Sequence, residues 1–149
     1  MGDVIVAGYF SGETDFGGTT FNVSNAEIFI AKLDGANGAL KWAVTGGGIG
    51  NQQVTDIVVD NAGNIHVAVL TQNNVLFGTN SYNVVGTQDS VIVKLSSAGA
   101  FQSVTGYGIA NQAVSLTALA VDANGDLYAG GSFEGTMAKN GWSITANKG

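Results

Sequence analysis

Hydrophobic and polar residues alternate along this chain in short runs broken by turns, the pattern of β-strands rather than helices. Val54-Thr55-Asp56-Ile57-Val58-Val59 is rich in β-branched residues and reads as a strand. Asp60-Asn61-Ala62-Gly63 follows as a turn, and 65–70 forms the next strand, so the two make a hairpin. Ile28-Phe29-Ile30-Ala31-Lys32-Leu33 and Ser90-Val91-Ile92-Val93-Lys94-Leu95 read as a second pair of equivalent strands. Each leads through a Gly-containing turn into a further strand, 39–44 in one case and 100–105 in the other. Glycine-rich stretches then follow, Gly46-Gly47-Gly48-Ile49-Gly50 and Gly106-Tyr107-Gly108-Ile109-Ala110. No segment carries a sustained 3.6-residue period with helix caps.

The same pattern returns with a period of about 60 residues. Gly2-Asp3-Val4-Ile5-Val6-Ala7-Gly8, Gly63-Asn64-Ile65-His66-Val67-Ala68-Val69 and Gly125-Asp126-Leu127-Tyr128-Ala129-Gly130-Gly131 are copies of one motif. Asn51-Gln52 and Asn111-Gln112 precede two copies of an apolar strand and its Asp/Asn/Gly turn. Between the second and third strands of each unit lies a variable segment marked by an aromatic, and it is expected to form a decorating hairpin or loop. Four short antiparallel strands per unit make one blade of a β-propeller. The expected fold is therefore all-β, a partial propeller over 1–149 with units at about 2–62, 63–124 and a truncated 125–149. Roughly nine strands give two to two and a half blades, an incomplete ring. Its open ends expose sheet faces and edges. The expectation is a fragment of a longer repeat protein, or a chain whose ends another subunit covers.

Specific motifs add a resemblance. Val59-Asp60-Asn61-Ala62-Gly63-Asn64, Thr14-Asp15-Phe16-Gly17, and Phe29-Ile30-Ala31-Lys32-Leu33-Asp34 running on to Trp42-Ala43 resemble the bacterial β-propeller repeat often called the SBBP repeat. The second copy departs from it, with Val91 and Ser96 in place of the phenylalanine and aspartate and Ser103 in place of Trp42. The resemblance implies a large secreted or cell-surface bacterial protein of a kind whose roles are adhesive or unknown, and it brings no catalytic residues. A kelch-type propeller fits less well, because the double glycine Gly130-Gly131 is matched by Gly8-Tyr9 and Val69-Leu70.

Composition narrows the functions. The chain has 149 residues, 45% of them hydrophobic and 11% charged, which excludes disorder. Its net charge is -6 with only five Lys and Arg, too few to neutralise a nucleic-acid backbone. With no cysteine, disulfides and thiolate chemistry are excluded. No apolar run reaches the roughly 18 residues of a membrane span. No cofactor is expected. Partners are expected to be a protein, further blades of the same protein, or a glycan.

Candidate chemistry is sparse. Phe16, Phe21, Phe77, Tyr82 and Trp142 recur in the decorating segments, where aromatics beside Asn, Thr and Gly stack on sugar rings or meet a protein partner. Asp122, Asn124 and Asp126 alternate oxygen-bearing side chains, as a calcium loop would, although no glutamate closes it; the competing reading is plain turn chemistry. His66 is the only histidine, and its counterparts Ile5 and Tyr128 mark a packing position. Lys32 and Lys94 are equivalent, each read as a solvent-facing edge charge at a strand end or as the partner of a nearby carboxylate such as Asp34. Asn51-Gln52 and Asn111-Gln112 are expected to bond backbone groups between blades. The reading is a non-enzymatic secreted or surface scaffold for protein or glycan binding, adhesion or assembly. The alternative is part of a propeller enzyme such as a glycan-cleaving hydrolase or lyase. Its acids would come from Glu13, Asp15, Glu27 and Glu134.

Overall fold

The computed structural model describes residues 2–139 and 141–146, with backbone alone considered at 139. Thirteen strands form five antiparallel sheets, and no helix occurs among the described residues. The first sheet has the order β1-β2-β3, from Val4–Asp15, Thr20–Leu33 and Leu40–Gly46. The central sheet has the order β4-β5-β8-β9, from Gln52–Val59, Ile65–Thr71, Asp89–Leu95 and Phe101–Tyr107. The third pairs β10 (Val114–Val121) with β11 (Leu127–Phe133). Two small hairpins complete the set, β6 (Val75–Phe77) with β7 (Asn80–Tyr82) and β12 (Gly135–Lys139) with β13 (Trp142–Ala146). The nine strands expected from the sequence are those of the three larger sheets, and the decorating segments add four.

The alternation read from the sequence sets which face each side chain takes. In the central sheet Ile65 pairs with Leu95, Val67 with Val93 and Val69 with Val91, so these six share one face, and all are at most 1% exposed. That face packs on Ile28 and Ile30 of the first sheet, supported by Ile5, Ala7 and Val44. Two sheets thus meet face to face over one apolar layer. The opposite face of the central sheet meets the third sheet through Val114 and Leu116, both buried. There Ser90 Oγ donates to the Val114 carbonyl at 3.0 Å and accepts from Leu116 N at 2.8 Å.

Equivalent residues of neighbouring units lie side by side. Thr55 sits at a bulge in β4 and donates through Oγ1 to the Leu116 carbonyl, 61 residues on, at 2.8 Å. Asp56 Oδ2 accepts from Leu119 N, 63 residues on, at 2.6 Å. Asn61 Nδ2 donates to the carbonyls of Asp122 and Ala123 in the matching turn at 3.3 and 3.0 Å. The bulge itself recurs, between Val54 and Asp56 and again between Leu116 and Ala118.

The decorating segments are hairpins in all three units, but they are built differently. In the first unit β1 and β2 run on past a bulge between Phe10 and Gly12, and the long hairpin curls until Gly17 lies against Leu40 Cβ. In the second, β6 and β7 form a separate hairpin whose Gly78 lies against Phe101, the counterpart of Leu40. Gly17 and Gly78 have φ of 64° and 63°, and a Cβ at either would stand 3.2 Å from the strand it covers. The shared Phe-Gly pair is therefore a docking device, placing Phe16 or Phe77 over its own sheet.

Candidate functional site: an uncharged amide groove

β4 and β5 are an antiparallel pair in which Gln52 faces Thr71 and Gln53 faces Leu70. This register brings the start of one strand to the end of the other, and with them two amide triplets, Asn51-Gln52-Gln53 and Gln72-Asn73-Asn74. Between them lies a cleft of about 200 Å³ that also reaches Gln88. It shares Asn51, Gln52 and Gln53 with a second cleft of about 360 Å³ ending at Tyr9 and Ala26. It shares Gln72 with a third, of about 370 Å³, between Ile49, Asn73, Asn74 and Val84. No Asp, Glu, His, Lys or Arg among the described residues lines these three clefts.

The amides divide into anchored and free. Gln52 is 4% exposed; its Oε1 accepts from Gly48 N at 3.4 Å and its Nε2 donates to the Ile49 carbonyl at 3.2 Å. It pins the glycine linker that joins the first sheet to the second, which is the backbone-bonding role expected of it. Asn74 Oδ1 accepts from Val84 N at 2.9 Å, and Gln88 Nε2 donates to Ser115 Oγ at 2.9 Å. Asn51, Gln53, Gln72 and Asn73 are exposed, and among the described residues no hydrogen bond engages their side-chain amides. Tyr9 and Ile49 stand out at 67% and 74% exposure.

The groove breaks the repeat. Asn111-Gln112 is not its structural counterpart: Val114 pairs with Phe133 as Gln52 pairs with Thr71, so Val114 holds the Gln52 position 62 residues on. Asn111 and Gln112 form instead the turn before β10, where Asn111 takes φ 62° and Gln112 N donates to the Ile109 carbonyl. By the same register Gln53 corresponds to Ser115 and Gln72 to Glu134. The missed signal was in plain sight: two runs of three amides at the paired ends of a predicted hairpin.

The aromatics singled out in the sequence are mostly packing groups. Phe77 is fully buried, so no ligand can stack on it. Tyr82 lies against Gly106 and donates to Asp89 Oδ2 at 2.8 Å. Burial first, then the Asp89 carboxylate, push its phenol well above the ordinary 10.0. Phe16 and Phe21 are half-buried in a cluster with Phe10 and Phe29, the Phe16 and Phe29 rings 4.7 Å apart. Trp142, 45% exposed on β13, alone keeps an open ring.

The acidic turns are bonded to themselves. Asp122 Oδ1 accepts from Asn124 N and Asp126 N, both at 2.9 Å, and Oδ2 accepts from Tyr128 OH at 3.2 Å. Asn124 and Asp126 thus meet Asp122 through their backbone donors, and these bonds, led by Asp126 N, lower the Asp122 pKa. Asp60 repeats the arrangement with Ala62 N, Asn64 N and the Asn64 and His66 side chains, and it too is held far below 3.8, chiefly by the Asn64 side chain. Among the described residues no group of three or more His, Asp or Glu side chains gathers as a metal site. His66 is 8% exposed beside Asp60, a packing position as expected. Lys32 pairs with Asp3 at 3.2 Å, and it is Lys41 that reaches Asp34, at 3.1 Å. Of the four candidate acids, Glu13 and Asp15 lie in the curled first hairpin, Glu27 pairs across from Phe10, and Glu134 follows β11 in the third sheet.

A scan against protein-family models finds none that matches this chain, and a search of curated proteins finds no match either. No helix among the described residues is long and apolar enough to cross a membrane.

Proposed function

We propose that the chain is a non-enzymatic repeat scaffold, secreted or displayed at a cell surface, that binds ligands and assembles with like units. Its three larger sheets are read as successive blades of an open β-propeller of the bacterial type named above. The observation that carries this reading is the ladder of bonds between equivalent positions or their immediate neighbours, at separations of 61, 62 and 63 residues. Such nearest-neighbour contacts are what a repeat protein uses to stack one unit on the next. The outer faces support it further. Val4 on the first sheet is 49% exposed and Tyr128 on the third is 58% exposed, although their counterparts Ile65 and His66 are buried between sheets. Further blades, or a protein partner, cover these faces.

Light scattering behind size exclusion, with circular dichroism on the same peak, tests the assembly. The expected result is a β-rich species whose mass rises with concentration as the open faces meet. A strictly monomeric, cooperatively melting particle over a hundredfold concentration range would count against open ends.

A further inference from the structure

Resting on the reading of a binding scaffold, we infer that the amide groove between the first two units is a site for a neutral glycan. The groove is one of the places where this repeat departs from itself. Thr55, which recurs as Thr117, and the Phe-Gly pairs of the first two units hold sheets together. Gln53 and Gln72 have Ser115 and Glu134 in their places one period on, and no hydrogen bond among the described residues gives their side-chain amides a structural duty.

The lining selects the ligand. A primary amide offers two N–H donors and a carbonyl acceptor on one short arm, and a sugar hydroxyl is likewise both donor and acceptor. Four such arms, Asn51, Gln53, Gln72 and Asn73, make no side-chain hydrogen bond among the described residues and so lose none of those on binding. Tyr9, 67% exposed at one end, supplies an aromatic ring of the kind that stacks on the C–H side of a pyranose. An anionic glycan would find no lysine or arginine in the lining and would meet a chain of net charge -6. A cation would find amide oxygens but no carboxylate. A peptide would match the amides, yet peptide recognition draws on apolar anchors seated in pockets. Here Tyr9 and Ile49 stand apart and proud of the surface rather than forming one. Three clefts of about 200 to 370 Å³, the first sharing lining residues with each of the others, suit consecutive sugar rings of a chain better than a single compact molecule.

The test is a titration of the ¹⁵N-labelled chain with neutral hexasaccharides of glucose, mannose and N-acetylglucosamine, alongside a hexauronate and an Asn/Gln-rich peptide. At least one neutral hexasaccharide should saturate with Kd in the millimolar range or tighter, shifting the resonances of 51–53 and 72–74. Gln53→Ala/Gln72→Ala should weaken it at least tenfold with an unchanged circular dichroism spectrum. Tyr9→Ala should do the same, while Tyr9→Phe retains binding and Trp142→Ala has no effect. Failure of every neutral sugar, or binding untouched by these substitutions, overturns the glycan site. A peptide or the hexauronate occupying the groove in its place also overturns it, and leaves the scaffold reading standing. New reducing ends in the bound sugar would support the groove and overturn the non-enzymatic reading instead.

Discussion

The hairpins of the first and second units solve one problem in two ways. Each must fold back over its own sheet and stay there, and each uses a Phe-Gly pair to touch the first residue of the following strand. In the first unit the rest of the fastening is aromatic: Phe16 and Phe21 lean on Phe10 and Phe29 without any polar lock. In the second it is a buried carboxylate. Asp89, fully buried, takes the Tyr82 hydroxyl and Val85 N at 2.8 Å on Oδ2 and Gly86 N at 3.1 Å on Oδ1. Glu27 and Phe21 stand where Asp89 and Tyr82 do, and they cannot make that bond. A cluster of rings tolerates sliding, whereas a carboxylate holding three donors does not. The second hairpin carries Asn73 and Asn74 into the groove, so the polar lock sits under the element whose position matters.

The sharpest break of this comparison is Phe77→Ala against Phe16→Ala. Phe77 is fully buried between the first and central sheets, and its loss should cost about 4 kcal/mol; half-buried Phe16 should cost about 1 to 2 kcal/mol. Chemical denaturation of both variants checks the ratio, and equal losses would erase the distinction. Asp89→Ala comes next: three donors lose a buried partner at once, for about 3 kcal/mol. Glu27→Ala at the matching position should stay below about 1 kcal/mol.

Tyr82 gives the comparison a pH signature. Its folded pKa is raised, so its stabilisation is full below 10.0 and is lost as pH rises beyond that value, where the unfolded chain ionises freely. Melting followed from pH 9 to 11 should fall more steeply in the wild type than in Tyr82→Phe, which cannot ionise there. Identical slopes would mean that Tyr82 is not buried against Asp89. The smallest effect belongs to Asp60. Its folded pKa is depressed, so its contribution is complete above 3.8 and vanishes as pH falls through the folded value. Asp60→Asn should make the acid limb of the stability profile shallower while Asp122, Asp3 and Asp34 keep part of it. An unchanged limb would remove Asp60 from the acid response.

Much of the fold was legible in the chain because alternation and turn residues are local properties. The strands at 54–59, 65–70, 28–33 and 90–95 lie within one or two residues of β4, β5, the end of β2 and β8. What the pattern could not reveal was how the variable segments fold back. A phenylalanine beside a glycine reads alike as an exposed platform or as a wedge, and only the approach of Gly78 to Phe101 decides for the wedge. Spacing also misled where the repeat slips. Asn111-Gln112 copies Asn51-Gln52 by letter, yet additional residues before β10 put Val114 in the place of Gln52. The groove itself was readable from the two amide triplets, had the hairpin register been carried through to its ends.

The central claim is that Gln53 and Gln72, which break the repeat and carry no structural hydrogen bond among the described residues, serve a ligand. It is tested most directly by one thermal-shift experiment on wild type and Gln53→Ala/Gln72→Ala, with and without the neutral hexasaccharide panel. The double variant should melt with the wild type in buffer, and only the wild type should gain stability from sugar, by about 2.7 kcal/mol at a hundredfold excess over Kd. A double variant that melts as early as Phe77→Ala, or that gains from sugar as the wild type does, would contradict the account.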